Sequence, residues 1–336
     1  MNKNLIIYGY NRRNLGDDLM FAEIINKTDY HKYYFLGDSI TPALVTKKIK
    51  FIKQGRLMAF RWKWKSDFAI IGGSVLMGAT KAQESMILQK IDWFKMNKLF
   101  GGRNFIIGAN LGPFESRTYY LSLLSALNKY TDKWFVRDTF SKDLLSELKT
   151  KFLKIMPDIV IGLNTTDYAH KKSTNSVAIS ITQVDKDGDV AICAESYKKE
   201  IQLLVQKFIS QGKTINFVSF EDVKDLPIIT NVISALGVEF GDKVNIIKNE
   251  GYNVISTISK SDLVISTRFH SMVLAALFEK PQIIYSYSDK TKQFADNYEF
   301  NTYRVTGEIE GKIPVSTNFP KEAFSEVAEY ANWVKQ

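Results

Sequence analysis

An arginine and a histidine stand two residues apart, directly after a short apolar run. Leu263-Val264-Ile265 is typical of a strand buried on both faces, and Ser266-Thr267-Arg268-Phe269-His270-Ser271 leads from it into a predicted helix. The first turn of a helix offers unsatisfied backbone N–H groups and the positive end of the helix dipole, and both favour an anionic ligand. A guanidinium, an imidazole and amide donors at one place suit the transfer of a phosphorylated or carboxylated group.

A structural reading of this pair is also open. A lone histidine is often a hydrogen-bonded residue of the core, and Arg268 could be a surface cation. Function is favoured because the strand before Arg268 is predicted to be buried. In addition, His270 lies at a strand-to-helix junction, whereas His31 is near a strand start and His170 is in a polar segment. An imidazole also exchanges its proton near neutral pH.

Polar and glycine-rich clusters follow several other predicted strands, and doubly wound sheets bind ligands at those carboxyl ends. The clusters are Gly9–Asp18, Gly72-Gly73-Ser74, Gly108–Phe114, Arg137–Ser141 and Ser286–Lys290. Each cluster alone is also typical of an ordinary turn between a strand and a helix. Ser74, for example, is predicted as a helix N-cap. Arg137-Asp138 fits either a structural ion pair or a fork for a carboxylate or phosphate.

Strand-like runs alternate with helix-like segments almost throughout, which predicts α/β domains with parallel sheets. In the first half the predicted strands are Leu5–Tyr8, Tyr33–Leu36, Phe68–Ile71, Asn104–Ile107, Trp134–Val136 and a weaker one near Phe152–Ile155. In the second half they are Val177–Ile181, Ile215–Phe220, Val244–Ile247, Leu263–Ser266 and Gln282–Tyr285. Predicted helices between them include Ser196–Gln211 and Pro227–Ala235.

The polar, aperiodic segment Asn164–Asn175 is predicted to link two similar Rossmann-like domains that face a shared cleft. We expect an N-terminal α/β domain over residues 1–165 and a C-terminal α/β domain over 176–316. We expect a C-terminal helix over residues 317–336, because Lys321–Lys335 carries an apolar stripe, and this helix is predicted to cap one of the domains. A length of 336 residues with 45% hydrophobic content supports more than one core.

The composition indicates where in the cell the protein works and which classes of binding partner it can have. No apolar run reaches the roughly 20 residues of a transmembrane helix, and the N-terminus opens on a strand-like run instead of a signal peptide. The single cysteine, Cys193, agrees with a reducing environment, so we expect a cytoplasmic protein. The net charge of +9 favours an acidic partner but is below that of a dedicated nucleic-acid protein, so no nucleic acid is expected.

Basic residues concentrate in the stretch Lys47–Lys65, which holds no acid and is interleaved with aromatic residues such as Trp62 and Trp64. Cations beside aromatic rings suit a membrane surface or a lipid-diphosphate headgroup. A solvated helix and strand edge, with the aromatic rings turned to the core, explains the same stretch equally well.

The motifs of several other chemistries are missing from the sequence. It contains no Gly-x-x-x-x-Gly-Lys-Ser/Thr phosphate loop, no Gly-x-Gly-x-x-Gly dinucleotide fingerprint and no His-Glu-x-x-His zinc site. Asp185-Lys186-Asp187-Gly188-Asp189 is similar to the Asp-x-Asp metal motif of some glycosyltransferases. It lies between two strand-like runs, however, and is better interpreted as a hairpin turn. We predict neither a catalytic metal nor a cofactor.

Taken in order, these clusters resemble the polysaccharide pyruvyl transferase family, from about Tyr8 to Phe294. The matching motifs are Asn14-Leu15-Gly16-Asp17, Gly72-Gly73-Ser74, Gly108–Pro113, Val136-Arg137-Asp138 with Ser141, Pro157-Asp158, Ser266–Ser271, Lys280-Pro281 and Tyr287–Lys290. Ser74 departs from the three glycines that are usual in the second motif, and Phe269 stands where leucine is more usual. The combination is specific, whereas no single motif is.

The resemblance implies a fold like that of the GT-B glycosyltransferases and transfer of the carboxyvinyl group of phosphoenolpyruvate to a sugar. The product would be a pyruvate ketal on an exopolysaccharide, a capsule or another cell-envelope polysaccharide. Arg137 and Arg268 would hold the phosphate and carboxylate of the donor, with Ser271 and Lys290 as further donor-binding residues. His270 would protonate the methylene carbon or accept the proton of the sugar hydroxyl. The arginines and the helix N-terminus would stabilise the departing phosphate.

The N-terminal half would supply the acceptor side, with Asn14, Asp17, Gly72, Gly73, Ser74 and Asn110 as its candidates. In such pathways the acceptor is often a sugar on a polyprenyl diphosphate, so Lys47–Lys65 is predicted to dock the enzyme at the inner membrane face. Two alternatives stay open because one fold hosts many activities. One is a glycosyltransferase of the same architecture that uses a nucleotide sugar. The other is a non-catalytic carbohydrate-binding subunit in which Arg268 and His270 only hold the fold.

Overall fold

Two parallel β-sheets with helical connections organise the chain in a computed structural model. The structure describes residues 3–10, 12–37, 40, 44–52, 66–168, 174–183, 194–237, 243–286, 289–304 and 314–327. The alternation of apolar strands and helices in the sequence predicted this arrangement, and the α/β fold class is confirmed.

The first sheet has seven parallel strands, and their central members are buried along their whole length. In chain order the strands of this half are β1 (Asn4–Tyr8), β2 (Lys32–Leu36), β3 (Ile49–Ile52), β4 (Ser66–Ile71), β5 (Leu76–Gly78), β6 (Asn104–Ala109), β7 (Leu111–Phe114), β8 (Lys133–Val136) and β9 (Leu153–Ile155). The sheet order is β3-β2-β1-β4-β6-β8-β9, and β5 pairs with β7 in a small separate ladder.

The second sheet has six parallel strands. They are β10 (Ser176–Ser180), β11 (Thr214–Val218), β12 (Val244–Ile247), β13 (Leu263–Ser266), β14 (Gln282–Ser286) and β15 (Thr302–Arg304), in the order β12-β11-β10-β13-β14-β15. In each sheet the chain starts in the middle, runs to one edge and then continues on the other side of its first strand. The switch points are therefore β1 beside β4 and β10 beside β13, where doubly wound sheets bind ligands.

Helices connect the strands of both sheets. They are α1 (Leu15–Lys27), α2 (Lys81–Leu99), α3 (Arg117–Asn128), α4 (Thr139–Glu147), α5 (Ala194–Ser210), α6 (Asp222–Ser234), α7 (Tyr252–Lys260), α8 (Phe269–Leu277) and α9 (Asp289–Asn297), followed by a helix over 321–327. The predicted N-cap role of Ser74 is wrong. Ser74 lies in the turn before β5, and α2 begins later behind Thr80, whose side chain accepts from the Gln83 N–H.

The chain divides into two compact units. Unit 1 contains the first sheet and consists of Met1–Arg12, Asp17–Gly162 and Glu322–Gln336, as far as these are described. Unit 2 contains the second sheet and consists of Arg13–Gly16 and Leu163–Lys321. The end of the 321–327 helix packs against Gly162 of unit 1. The two are so close that a Cβ added to Gly162 would lie 2.6 Å from Val327 Cγ1.

The strands that the sequence did not predict are short or polar. They are β3, β5, β7 and β15. β3 lies at the edge of its sheet with Lys50 and Phe51 exposed, so its apolar pattern is weak. The start of the basic stretch Lys47–Lys65 therefore lies in and just before this edge strand. Residues 53–65 of the stretch lie outside the described residues. No helix among the residues described is both long and apolar enough to cross a membrane.

Candidate functional site

The loop after β13 forms the switch point of the second sheet. The Ser180 hydroxyl, at the end of β10, accepts hydrogen bonds from the backbone N–H groups of Thr267 (3.2 Å) and Arg268 (3.3 Å). Arg268 is the N-cap residue of α8, and its own side chain makes no capping hydrogen bond. The structure thus places Arg268 and His270 at the start of a helix, directly beyond a fully buried strand.

A buried carboxylate holds the Arg268 guanidinium. Arg268 Nε lies 3.0 and 3.2 Å from the two Asp225 carboxylate oxygens, and Nη2 donates to Asp225 Oδ1. Asp225 also accepts from the backbone N–H groups of Phe220 (2.9 Å) and Glu221 (3.0 Å). Burial raises the pKa of the Asp225 carboxyl, and the Arg268 charge opposes that rise. Asp225 therefore fixes the direction of a guanidinium that is still 12% exposed.

The His270 imidazole packs against a glycine from the other end of the sequence. His270 is 8% exposed, and a Cβ built on Gly16 would lie 1.8 Å from His270 Nδ1. Real Cβ contacts never come so close, so any larger residue at position 16 must displace the ring or the loop. The ring also meets Phe269 edge to face, with 4.9 Å between the centroids.

Hydrogen bonds dock the Arg13–Gly16 segment onto the loops that follow β11 and β12. The Leu15 N–H donates to the Phe220 carbonyl at 2.8 Å, and Asn249 Nδ2 donates to the Arg13 carbonyl at 2.8 Å. Asn14 Oδ1 accepts from the Gly16 N–H at 3.0 Å, so Asn14 caps the first turn of α1, which begins at Leu15. Asn14, predicted on the acceptor side, is therefore part of the unit that carries His270.

The remaining predicted donor-binding residues of unit 2 differ in placement. Ser271 is fully buried, its hydroxyl lies 3.3 Å from the Ser266 hydroxyl, and its N–H donates to the Arg268 carbonyl at 3.0 Å. This places Ser271 inside the first turn of α8. Lys290 belongs to α9, and its side chain lies outside the described part of the structure.

Arg137 belongs to a buried polar network of unit 1. Its guanidinium is 2% exposed, Nη1 donates to Asp158 Oδ2, and Nε lies 3.1 Å from Asn110 Oδ1. Asp158 is fully buried and accepts from the Val160 N–H at 2.9 Å. The motifs that end β6 and β8 and follow β9 are therefore joined through one guanidinium.

The same network continues through Asn110 to the start of α4. Asn110 Nδ2 donates to Asp138 Oδ2, and Asp138 caps α4 by accepting from the Ser141 N–H at 2.7 Å. The Ser141 hydroxyl donates to Asp138 at 2.8 Å and accepts from the Leu111 N–H at 2.8 Å. Asn110, Asp138 and Ser141 are thus bonded to one another or to neighbouring loop residues, and together they hold the loops after β6 and β8 in place.

The glycine-rich turn after β4 lies at the switch point of the first sheet. Gly72 has φ of +127°, a backbone conformation that favours glycine, and a Cβ there would lie 3.2 Å from Asp17 Oδ1. Gly73 is buried and its carbonyl accepts from the Asn110 N–H at 3.0 Å, whereas Ser74 is exposed. Four predicted acceptor residues, Asp17, Gly72, Gly73 and Asn110, thus lie near one another in unit 1.

The sequence did not single out Asp225 and Glu221 as site residues. Their signal was present, because the acidic run Glu221–Asp225 follows the predicted strand Ile215–Phe220 and an anion there could pair with Arg268. Among the described residues no three His, Cys, Asp or Glu side chains are grouped as metal ligands. The predicted absence of a catalytic metal stays a prediction.

Comparisons with known proteins agree on the family and the fold. A family model described as polysaccharide pyruvyl transferase matches residues 11–289. The fold is similar to UDP-GlcNAc 2-epimerase from Methanocaldococcus jannaschii, at 10% identity over 99% of each chain with a TM-score of 0.58. No curated protein sequence matches.

Two further solved structures have the same fold. UDP-GlcNAc 2-epimerase from Neisseria meningitidis, bound to UDP-GlcNAc, is 14% identical over 92% of this chain and 90% of its own, with a TM-score of 0.57. HepE from Anabaena, in complex with UDP-glucose, is 10% identical over 98% of this chain and 94% of its own, also with a TM-score of 0.57. At such low identity these likenesses establish the GT-B-like fold and leave the substrate of this chain open.

Proposed function

The chain belongs to the polysaccharide pyruvyl transferase family, and from that premise we propose that it transfers the carboxyvinyl group of phosphoenolpyruvate to a sugar. The product is a pyruvate ketal on a cell-surface polysaccharide or its precursor. The observation that supports this proposal is the start of α8 at a sheet switch point, where Arg268 is the N-cap residue and His270 lies in the first turn. The donor binds there in this proposal.

The donor is a small anion that suits this place. Phosphoenolpyruvate carries a phosphate and a carboxylate, and a guanidinium binds either of them through parallel N–H donors. Asp225 holds the Nε and Nη2 edge of Arg268, so the side chain is already oriented before the donor arrives. Such preorganisation lowers the entropy that binding costs. The helix N-terminus adds a partial positive charge in the same direction.

The reaction needs a proton on carbon and a leaving phosphate. The methylene carbon of phosphoenolpyruvate gains a proton and becomes the methyl group, and a sugar hydroxyl oxygen bonds to the neighbouring carbon. A second hydroxyl of the same sugar then bonds to that carbon, and the bond to the phosphate oxygen breaks. The two hydroxyls release two protons, of which one balances the new methyl group and the other leaves with the phosphate.

His270 is the proton carrier in this proposal. It delivers the proton to the methylene carbon or removes the proton of the attacking hydroxyl. Arg268 and the first turn of α8 stabilise the charge of the departing phosphate, and this contribution is electrostatic. Lys290 remains a proposed donor contact. The burial of Arg137 gives it a different proposed role, which is to hold the loops of unit 1. Ser271 is fully buried inside the first turn of α8 and is not proposed to contact the donor.

The acceptor binds to unit 1 in this proposal, through Asp17, Asn110 and the turn Gly72-Gly73-Ser74. If the acceptor is carried on a polyprenyl diphosphate, the enzyme works in the cytoplasm against the inner membrane face. Exposed Lys48 and Lys50 support such docking, whereas Lys47 is partly buried and its ammonium donates to the Thr28 carbonyl. Sedimentation with anionic liposomes tests it. Lys48→Gln with Lys50→Gln should weaken binding at low salt, and no binding by the unaltered protein rejects the docking.

Thermal unfolding with phosphoenolpyruvate, compared with a panel of nucleotide sugars, tests the donor. A ligand that binds only the native state raises its apparent stability. We expect phosphoenolpyruvate to raise the unfolding temperature and the panel to leave it unchanged, and we expect phosphate release when an acceptor sugar is added. Stabilisation by a nucleotide sugar alone would favour a glycosyltransferase. No stabilisation by any donor would favour a non-catalytic carbohydrate-binding subunit.

A further inference from the structure

We propose that Asn14–Gly16, the first turn of α1 with its capping residue, is a positioning element that sets the orientation of the His270 imidazole. The resemblance placed Asn14 on the acceptor side, but the turn belongs to unit 2 and its glycine lies against the imidazole. The proposal rests on the proposed function only where it concerns catalysis. Its structural part, that position 16 controls the ring, stands on geometry alone.

The space around His270 leaves the turn little freedom. A Cβ on Gly16 would lie 1.8 Å from Nδ1, 2.3 Å from Cγ and 2.6 Å from Cε1, so the glycine backbone covers one edge of the ring. Phe269 also contacts the ring and is itself packed edge to face on Phe294, at 4.9 Å between centroids. The ring therefore contacts both the residue before it in α8 and the glycine of the turn.

The turn can act in this way because it is fixed at both ends. The Leu15 N–H is bonded to the Phe220 carbonyl, and the Arg13 carbonyl is bonded to Asn249, whose Nδ2 also donates to Phe220 (2.9 Å). Phe220 is in turn joined to Asp225, the partner of Arg268. One set of hydrogen bonds thus connects Asp225, which holds the Arg268 guanidinium, with the turn whose glycine contacts the His270 imidazole.

Asn14 fixes the glycine through a single oxygen. Its Oδ1 accepts from the Gly16 N–H at 3.0 Å, and this contact needs an acceptor but no amide donor. Asn14→Asp keeps the acceptor and removes the amide N–H groups, whereas Asn14→Ala removes both. The pair of variants separates a positioning role from hydrogen bonding to an acceptor sugar.

Proton NMR of the imidazole tests the structural part without any substrate. The chain has three histidines, so the His270 signals are assigned by their loss in His270→Gln. We expect these signals to shift in Gly16→Ala and Asn14→Ala and to keep their positions in Asn14→Asp. Gly212→Ala is the control, because Gly212 has a positive φ of 78° and open space around it, so that this variant strains the backbone elsewhere in unit 2.

Steady-state kinetics tests the catalytic part. A misplacement of about 1 Å costs on the order of 10²-fold in rate, so we expect kcat of Gly16→Ala to fall by roughly that factor while KM for phosphoenolpyruvate changes little. In a His270→Gln background Gly16→Ala should cost no further activity. Asn14→Asp should restore most of the kcat that Asn14→Ala loses.

Three results would overturn the proposal. They are unchanged His270 signals in Gly16→Ala, an equal loss of kcat in the His270→Gln background, and an increased acceptor KM in Asn14→Asp with unchanged signals. If Gly16→Ala does not fold, Asn14→Ala gives the same comparison. If the unaltered protein does not turn over phosphoenolpyruvate, the proposed function fails, and the NMR comparison still decides whether the turn positions the ring.

Discussion

Two arginines follow buried strands in the two units, and their surroundings differ. Arg137, after β8 in unit 1, is 2% exposed and bonded to Asp158 and Asn110. Arg268, after β13 in unit 2, is 12% exposed, is bonded to Asp225, and stands at a helix N-terminus beside His270. The same residue type after a strand therefore joins loops in one unit, and in the other it pairs with a buried carboxylate while part of it stays exposed.

The difference comes from what surrounds each guanidinium. In unit 1, Asp138 and Ser141 extend the network, so the polar groups of three loops bond to one another inside the protein. Such a network stabilises the loops when every member is bonded, and it is costly to break. In unit 2 a histidine, His270, lies two residues from the arginine. Exposure and a titratable neighbour therefore distinguish the proposed reactive arginine from the structural one.

His270→Gln should produce the largest loss of reaction rate, and it tests whether the surroundings of Arg268 differ in function from those of Arg137. Glutamine fills similar space but cannot carry the proton, so the rate of phosphate release from phosphoenolpyruvate should fall by about 10²-fold to 10⁴-fold. Arg137→Lys is the matched control from unit 1. It should keep the rate per folded molecule, because the Arg137 guanidinium is only 2% exposed and is bonded within unit 1. A comparable rate loss in both variants would remove the contrast.

Arg137→Met should produce the largest loss of stability. It leaves Asp158 buried without its cation, and breaking a buried pair in this way costs about 3–5 kcal/mol of the free energy of unfolding. Urea unfolding measures the change. Arg117→Met breaks the exposed pair with Glu147 and should cost less than about 1 kcal/mol. If both substitutions cost the same, Arg137 does not hold the network.

The pH dependence of unfolding tests the partner of Arg268. Burial raises the pKa of Asp225, so the folded protein binds this proton more tightly than the unfolded chain does. The protonated carboxyl therefore adds stability below the ordinary aspartate range, and that contribution is lost as pH rises through the folded-state pKa. The stability of the unaltered protein relative to Asp225→Asn should fall as pH increases from about 4 toward 7.

An exposed aspartate serves as the control for the pH dependence of Asp225. Asp143 is exposed on α4, so Asp143→Asn should leave the pH profile of unfolding nearly unchanged. If the stability of the unaltered protein relative to Asp225→Asn instead grows with pH, the Arg268 charge outweighs burial. The Asp225 carboxylate would then stabilise the folded protein mainly through its ion pair with Arg268.

Two buried serines should show the smallest effects. Ser141 makes three hydrogen bonds of 2.7 to 2.8 Å through its N–H and hydroxyl. Within the described part of the chain, the Ser271 hydroxyl has one polar contact, at 3.3 Å with Ser266. Ser141→Ala should lower the free energy of unfolding by about 1–3 kcal/mol, and Ser271→Ala by less than about 1 kcal/mol. Thermal unfolding measures both. A larger cost for Ser271→Ala would mean that the start of α8 depends on its hydroxyl.

Much of the fold was predictable because buried parallel strands are apolar runs bounded by glycine and polar residues. The strands Val244–Ile247 and Leu263–Ser266 have the predicted bounds, and Arg268 and His270 lie at the predicted strand-to-helix junction. The edge strands β3 and β15 were missed because a half-exposed strand has no continuous apolar pattern. The helix N-cap expected at Ser74 was wrong because a short strand, β5, comes first.

The partners within the site were not predictable, because they join distant segments. Asp225 pairs with an arginine 43 residues away, and only the folded chain brings them together. Neighbours in sequence also separate: Asn14 belongs to unit 2 and Asp17 to unit 1, although one motif contains both. Sequence motifs mark where polar residues follow strands. They do not show which of those residues bond to each other and which face a ligand.

Calorimetric titration of phosphoenolpyruvate into the unaltered protein, Arg268→Lys and Arg137→Lys tests the central claim most directly. Lysine keeps the charge and loses the two-pronged geometry of the guanidinium, so the first variant should bind the donor at least about tenfold more weakly. Arg137→Lys should bind it as the unaltered protein does, provided that it is folded by circular dichroism. Weaker binding in Arg137→Lys with unchanged affinity in Arg268→Lys would place the donor in unit 1 and contradict the account.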